Sequence, residues 1–285
     1  MSYSRFEGFF KAFDHTQLFY QSWTHPKPLA SVIITHGQGE HSECYARLVE
    51  FFEDKQINFY SFDLRGHGRS EGPRGYAEYF ENYVKDNLQF YDLITKKVDG
   101  KHPLFVLGHS MGGLIQTLSL MQADQSAFKA QILSAPLFGL AVEVPAFKKH
   151  GAQLIQKLFP KLTLGNEISY EMLTRDPEVL REYEKDSLRH DRISSGVYLG
   201  FVHEFENLHS RVSGIMLPSL LVCAEKDPIV DSRACEQVFA GLGSTVKKSH
   251  FYGQEAKHEL FNDIIREEVF GDLSRFLENQ IGASK

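Results

Sequence analysis

Cysteine is scarce in this chain of 285 residues. There are three, Cys44, Cys223 and Cys235, an odd count without a CxxC spacing. That argues against a disulfide framework and against the usual cysteine-rich metal sites. Reduced thiols in a cytoplasm are the plain expectation, with Cys223, inside an apolar run, in the core. Long apolar runs are missing too. No stretch is long enough to span a membrane, which takes about 18 or more apolar residues. The opening "MSYSRFEGFFKAFDHTQLFY" holds no apolar h-region, so a secretory leader is not expected. Positive charge is in deficit: 31 Lys and Arg against 37 Asp and Glu give a net charge of −6. Neutralising phosphates needs the opposite balance, so no nucleic-acid partner is expected. Internal repeats and low-complexity segments are lacking as well.

What is present suffices for a large core. Apolar residues make up 42% of the chain, enough for one large α/β domain carrying an insertion. "FEGFFKAF" and "QLFYQSW" read as a hairpin at a sheet edge. "ASVIITHG", "INFYSF", "PLFVLGHS" and "FKAQILSAP" read as buried strands. Between them, "CYARLVEFFEDK" places Tyr45, Leu48, Val49 and Phe52 on one helical face. "YFENYVKDNLQFYDLITKKV" and "MGGLIQTLSLMQ" are further helices. This alternation predicts parallel strands with helices on both faces.

The rhythm breaks after Pro136. Pro145 can open a helix and Pro160 close it, and Asp176-Pro177 reads as an N-cap followed by the first helical position. Val197, Phe201, Phe205 and Leu208 recur at helical spacing. No strong strand is visible from about 140 to 214. The alternation resumes at "LPSLLVCAEKD" and runs through the strand "VKKSHFYG" to the helix "REEVFGDLSRFLEN". Residues 138–213 are therefore expected to form a helical cap inserted into a core of residues 1–137 and 214–285.

Ligands in such sheets collect at the carboxyl ends of the strands. There, "GHSMG" fits G-x-S-x-G, between a strand pattern and a helix pattern. Turning a strand into a helix within a few residues strains the serine backbone and lifts its hydroxyl off the sheet. Ser110 is the expected nucleophile; a tight turn alone would explain the glycines but not the serine. A serine needs a base, and the base an acid, in the chain order Ser, Asp or Glu, His. The later histidines are His150, His190, His203, His209, His250 and His258. Four fall in the insertion and His250 lies within a strand pattern. His258, in the loop "GQEAKHEL", is the best base. Asp227, just past a strand end, is the expected acid. Asp231 reads as a helix N-cap, and Glu225 is the weaker alternative. The loop "THGQGEHSE" suits an oxyanion hole built from the amides of Gln38 and Met111. In "DLRGHGRSEG", His67 reads as structural, and Ser70 has no elbow. The scheme calls for neither a cofactor nor a metal.

Together these segments resemble the α/β-hydrolase superfamily, and within it the monoacylglycerol lipase and lysophospholipase group. The resemblance rests on "HGQGEHS" (36–42), "GHGRSEG" (66–72), "GHSMGG" (108–113), "FPKLTLG" (159–165), "KDPIVD" (226–231) and "KHEL" (257–260). It implies the triad Ser110, Asp227 and His258, the hole at Gln38 and Met111, and a helical cap over an acyl tunnel. It also offers Glu40 as a contact for a substrate hydroxyl. Two positions depart from the group: Cys44-Tyr45 stands where an Arg-Tyr pair is common, and Phe261 where a second histidine often follows the base. The expected activity is hydrolysis of a monoacyl lipid, a monoacylglycerol or a lysophospholipid, or of another small ester. A thioesterase, a peptidase, a carbon–carbon bond hydrolase and a non-catalytic binding protein of this fold are the alternatives. In "PAFKKHGAQLIQKLFPK", Phe147, Leu154, Ile155 and Leu158 share a helical face, with Lys148, Lys149, Lys157 and Lys161 nearby. That face either packs on the core as a lid or lies on a membrane surface. The expected location is cytoplasmic, with peripheral membrane contact through the cap left open.

Overall fold

Runs of β-branched and aromatic residues segregate along the chain from runs with helical period, and the computed structural model stacks the two kinds in layers. It describes residues 3–142 and 145–282, with the backbone alone at Ala146 and Lys148, so the Lys148 side chain lies outside the described residues. The strands are β1 (Ser4–Lys11), β2 (Gln17–Thr24), β3 (Ala30–Thr35), β4 (Ile57–Phe62), β5 (Leu104–His109), β6 (Ala130–Ser134), β7 (Thr163–Gly165), β8 (Arg192–Ser194), β9 (Ser219–Ala224) and β10 (Lys247–Tyr252). The helices are α1 (Ala46–Phe51), α2 (Glu81–Val98), α3 (Met111–Leu120), α4 (Ala146–Leu158), α5 (Tyr170–Leu173), α6 (Pro177–Tyr183), α7 (Ser195–Phe205), α8 (Leu208–Arg211), α9 (Ser232–Gly241) and α10 (Arg266–Gly282).

Eight strands form the main sheet in the order β1-β2-β4-β3-β5-β6-β9-β10. The β1–β2 hairpin and its junction with β4 are antiparallel; every later pairing is parallel. Burial on both faces explains why β3, β4, β5, β6 and β9 read as unbroken apolar runs. Their alternation divides the core in two. Ile33, Tyr60, Phe62 and Val106 pack on one side with α2, α3 and α9. Val32, Ile34, Phe59, Phe105 and Leu107 pack on the other with α1 and α10. Burying a side chain such as Phe105 contributes about 1.5–3 kcal/mol.

Between β6 and β9 the chain leaves the main sheet. The helical stops and starts fall where proline chemistry puts them: α4 opens after Pro145, and α6 begins at Pro177, with the Asp176 carboxylate accepting from the Glu178 amide at 2.9 Å. One feature there differs from the sequence reading. β7 and β8 pair antiparallel as a small second sheet. Three-residue strands are too short to show an alternating pattern. The apolar face of α4 also stays off the core: Phe147, Leu154 and Leu158 are 72%, 59% and 57% exposed, and Ile155 is half-buried. α4 instead approaches α7, where Gly196 leaves room for the Gln156 amide; a Cβ there would come within 2.8 Å of it. Among the described residues no helix is long and apolar enough to cross a membrane.

Candidate active site

β5 delivers His109 and Ser110 to the carboxyl edge of the sheet, and α3 starts at the next residue. Ser110 sits at φ 50°, ψ −122°, a conformation L-residues rarely hold. Four hydrogen bonds impose it. Its amide donates to Ser134 O at 3.0 Å, and its carbonyl accepts from Gly113, Leu114 and Leu137 at 2.9, 3.3 and 2.9 Å. The flanking glycines are steric necessities. A Cβ on Gly112 would stand 2.1 Å from Thr35 O, and one on Gly108 2.7 Å from Gly112 O.

Asp227 follows β9 and His258 follows β10, two neighbouring strands of one sheet. The His258 Nδ1–H donates to Asp227 Oδ2 at 2.8 Å. The other Asp227 oxygen accepts from the amides of Ile229 and Val230 at 2.8 and 3.0 Å. Burial alone would raise the Asp227 carboxyl; the adjoining His258 and those two amides outweigh it and hold it below its ordinary value. Burial alone would lower His258; the Asp227 charge and hydrogen bond, with Glu259 and Glu40 behind them, raise it instead. Asp231 caps α9 through the Arg233 amide at 2.9 Å, as its position in the sequence suggests.

Ser110 and His258 open on one cavity of about 790 Å³, whose wall also includes Gln38, Glu40 and Ile229. His190 reaches the same wall, but both its ring nitrogens are taken, by Gly66 O and by the Arg192 amide, each at 3.1 Å. His250 pairs instead with Asp272 at 2.6 Å on the strand. His67 is buried on Arg65 O, and the Ser70 hydroxyl is spent on Asp63 O and the Phe19 amide.

The loop after β3 brings Gln38 and Glu40 beside the elbow. Gly39 is at φ +75°, and a Cβ on it would stand 2.2 Å from His190 O. Among the described residues, neither the Gln38 nor the Met111 amide enters a loop or turn hydrogen bond. Glu40 is tied down from several sides. Its Oε2 accepts from the Gly37 amide at 2.7 Å and the Tyr45 hydroxyl at 3.0 Å, and Arg189 lies 3.5 Å from Oε1. Burial and the neighbouring Glu259 push its carboxyl up to about 7. Arg189 binds Glu259 at 2.9 Å and stacks 3.6 Å over the Tyr183 ring. This buried network stands directly behind His258, and sequence reasoning missed it. Arg189 carries no local signal, because nothing in "SLRHD" distinguishes it from a surface arginine.

The sheet order, the strained serine at the strand–helix elbow and the Asp227–His258 pair at successive strand ends define the α/β-hydrolase class. A family model described as serine aminopeptidase, S33, matches residues 26–265. The chain belongs to that family, and to its monoacylglycerol lipase group, as the motifs imply. That membership makes it an enzyme of the esterase and lipase kind. It is 27% identical to phospholipase YtpA of Bacillus subtilis, over 91% of this chain and 99% of that one. An uncharacterized abhydrolase domain-containing protein of Dictyostelium discoideum is 30% identical over 95% of this chain, which spans 29% of that larger protein. The solved monoacylglycerol lipase of Paleococcus ferrophilus superposes with a TM-score of 0.79 at 26% identity, covering 98% of this chain and 100% of its own.

Proposed function

We propose that this enzyme is a serine hydrolase that releases a fatty acid from a monoacyl lipid, a monoacylglycerol or a lysophospholipid. His258 takes the Ser110 proton, and Oγ attacks the ester carbonyl. The amides of Gln38 and Met111 hold the oxyanion, aided by the amino end of α3. Asp227 fixes the His258 tautomer and stabilises its charged form. His258 returns the proton to the leaving alcohol, and water then cleaves the acyl-enzyme. Glu40 meets a head-group hydroxyl at the cavity wall. Residues 138–213 act as the cap over the acyl chain, on a core of residues 1–137 and 214–285. The observation that carries this reading is the pairing of His258 with an amide-held Asp227 on the cavity into which Ser110 opens. The lipase and phospholipase names of the relatives support the acyl substrate.

Replacing Ser110 by Ala should lower ester turnover by at least about 10³-fold while leaving the fold intact. Turnover retained in that variant overturns the assignment. A peptidase is the second reading. It is favoured by the family description and by Glu40, Glu171 and Glu184, acids on the cavity wall that suit a free amino terminus. Monoacylglycerols, lysophospholipids and amino-acid anilides assayed side by side decide between them, with the lipids expected to be cleaved.

A further inference from the structure

Three donors stand behind Glu40 without a part in the hydrolysis scheme. His41 precedes and Cys44 lies within a single 3₁₀ turn, Ser42–Tyr45, closed by the Cys44 amide on the His41 carbonyl at 3.1 Å. Asp186 reaches them from the 138–213 segment, and its Oδ2 accepts from His41 Nε2 at 2.8 Å. A ring nitrogen of His41, the Cys44 sulfur and a carboxylate oxygen of Asp186 all lie within 4.8 Å of one another. Asp186 is already oriented, because its Oδ1 accepts from the Leu188 amide at 2.9 Å.

One thiol, one imidazole and one carboxylate make a donor set that zinc accepts, with the fourth tetrahedral position left to water. Zinc bond lengths of about 2.0–2.3 Å place such donors roughly 3.3–3.6 Å apart. The His41–Asp186 pair must therefore open slightly and the sulfur draw in, movements within the reach of side chains. An ion pair alone accounts for His41 and Asp186. The half-buried sulfur, in contact with His41, adds a third donor at the same point.

We propose that His41, Cys44 and Asp186 bind a zinc-like divalent cation. On binding, the Nε2 proton of His41 and the thiol proton of Cys44 both leave to solvent, and both atoms coordinate through the freed lone pairs. The ion joins the segment 138–213 to the loop that carries Gln38 and Glu40. Nothing in this proposal depends on Ser110 or on the identity of the substrate.

Calorimetric titration of the full chain with zinc chloride tests it. One ion per chain is expected, with affinity at least about 100-fold weaker in Cys44→Ser and in Asp186→Asn, more than loss of an outer-shell partner costs. Thermal unfolding without metal checks that both variants fold. Cobalt, added to the unaltered protein, reads the ligand directly and should give a thiolate-to-metal charge-transfer band. Cys223 and Cys235 are fully buried, so that band reports Cys44. Zinc binding absent from the unaltered chain, retained in either variant, or accompanied by a cobalt spectrum without the thiolate band, overturns the site.

Discussion

Ser110, Asp227 and His258 were readable as residue types near strand ends: Ser110 and Asp227 follow apolar runs, and His258 lies in the loop after β10. Their quality as a site was not readable. The amides of Ile229 and Val230 that hold Asp227, and Glu259 behind His258, come from folding. The same holds for Arg189, whose partners Glu40 and Glu259 lie far from it in sequence. The Asp227 charge and hydrogen bond, with Glu259 and Glu40 behind them, set the pH response of His258. On the proposed mechanism the working base is neutral His258, and its raised proton affinity moves the acid limb above the ordinary histidine value of 6.5. kcat/KM should therefore fall as pH drops through that raised value. In Asp227→Asn the limb should move to lower pH and turnover should fall by about 10⁴-fold. An unmoved limb would point to another titrating group.

Among the elements, the long apolar runs and the proline-bounded helices were legible, and the three-residue pair β7 and β8 was not. α4 shows the limit of pattern reading most clearly. Its periodicity marks an apolar face but cannot say what covers it. The fold turns Phe147, Leu154 and Leu158 outward, beside exposed Lys157 and Lys161. A basic, apolar helix face of this kind suits the surface of an anionic bilayer. Lys149 is the less available charge, paired with Glu206 at 3.7 Å. The unaltered chain should float with anionic liposomes, and a Phe147→Ser, Leu154→Ser, Leu158→Ser variant should not. Neutralising Lys157 and Lys161 should remove the salt-sensitive part of the binding. Equal flotation of all three proteins would rule out α4 as the contact.

Over the whole molecule, buried histidines tie stability to pH. Burial lowers His36 and His190 to about 4 and His109 to about 3, and drives His67 well below 6.5. The unfolded chain binds protons at these groups near 6.5, before the folded one does. Stability is thus complete above 6.5 and is lost as pH falls through the folded values. His258, His41, Glu40 and Asp86 are raised and act the other way, offsetting part of this loss. The urea midpoint should drop between pH 7 and pH 4.5, and a flat profile would contradict the burial of these four rings. The layered α/β architecture was largely legible, because parallel strands buried on both faces leave an unmistakable apolar record. The histidine cluster was not, because burial of a polar ring is a property of the assembled fold.

β6 and β9 are immediate neighbours in the sheet, so the polypeptide between them departs and returns through a single doorway. Such a loop-out can be exchanged as a cassette between relatives without re-threading the sheet. Among the attachments the graft has to keep are Arg189 on Glu259, the Met172 and Leu173 carbonyls on the amides of His258 and Glu259, the His190 amide on Gly39, Asp186 on His41 and Arg175 on Asp263. On the proposed function, chimaeras that respect those seams should change substrate choice and keep the chemistry proposed for Ser110, Asp227 and His258.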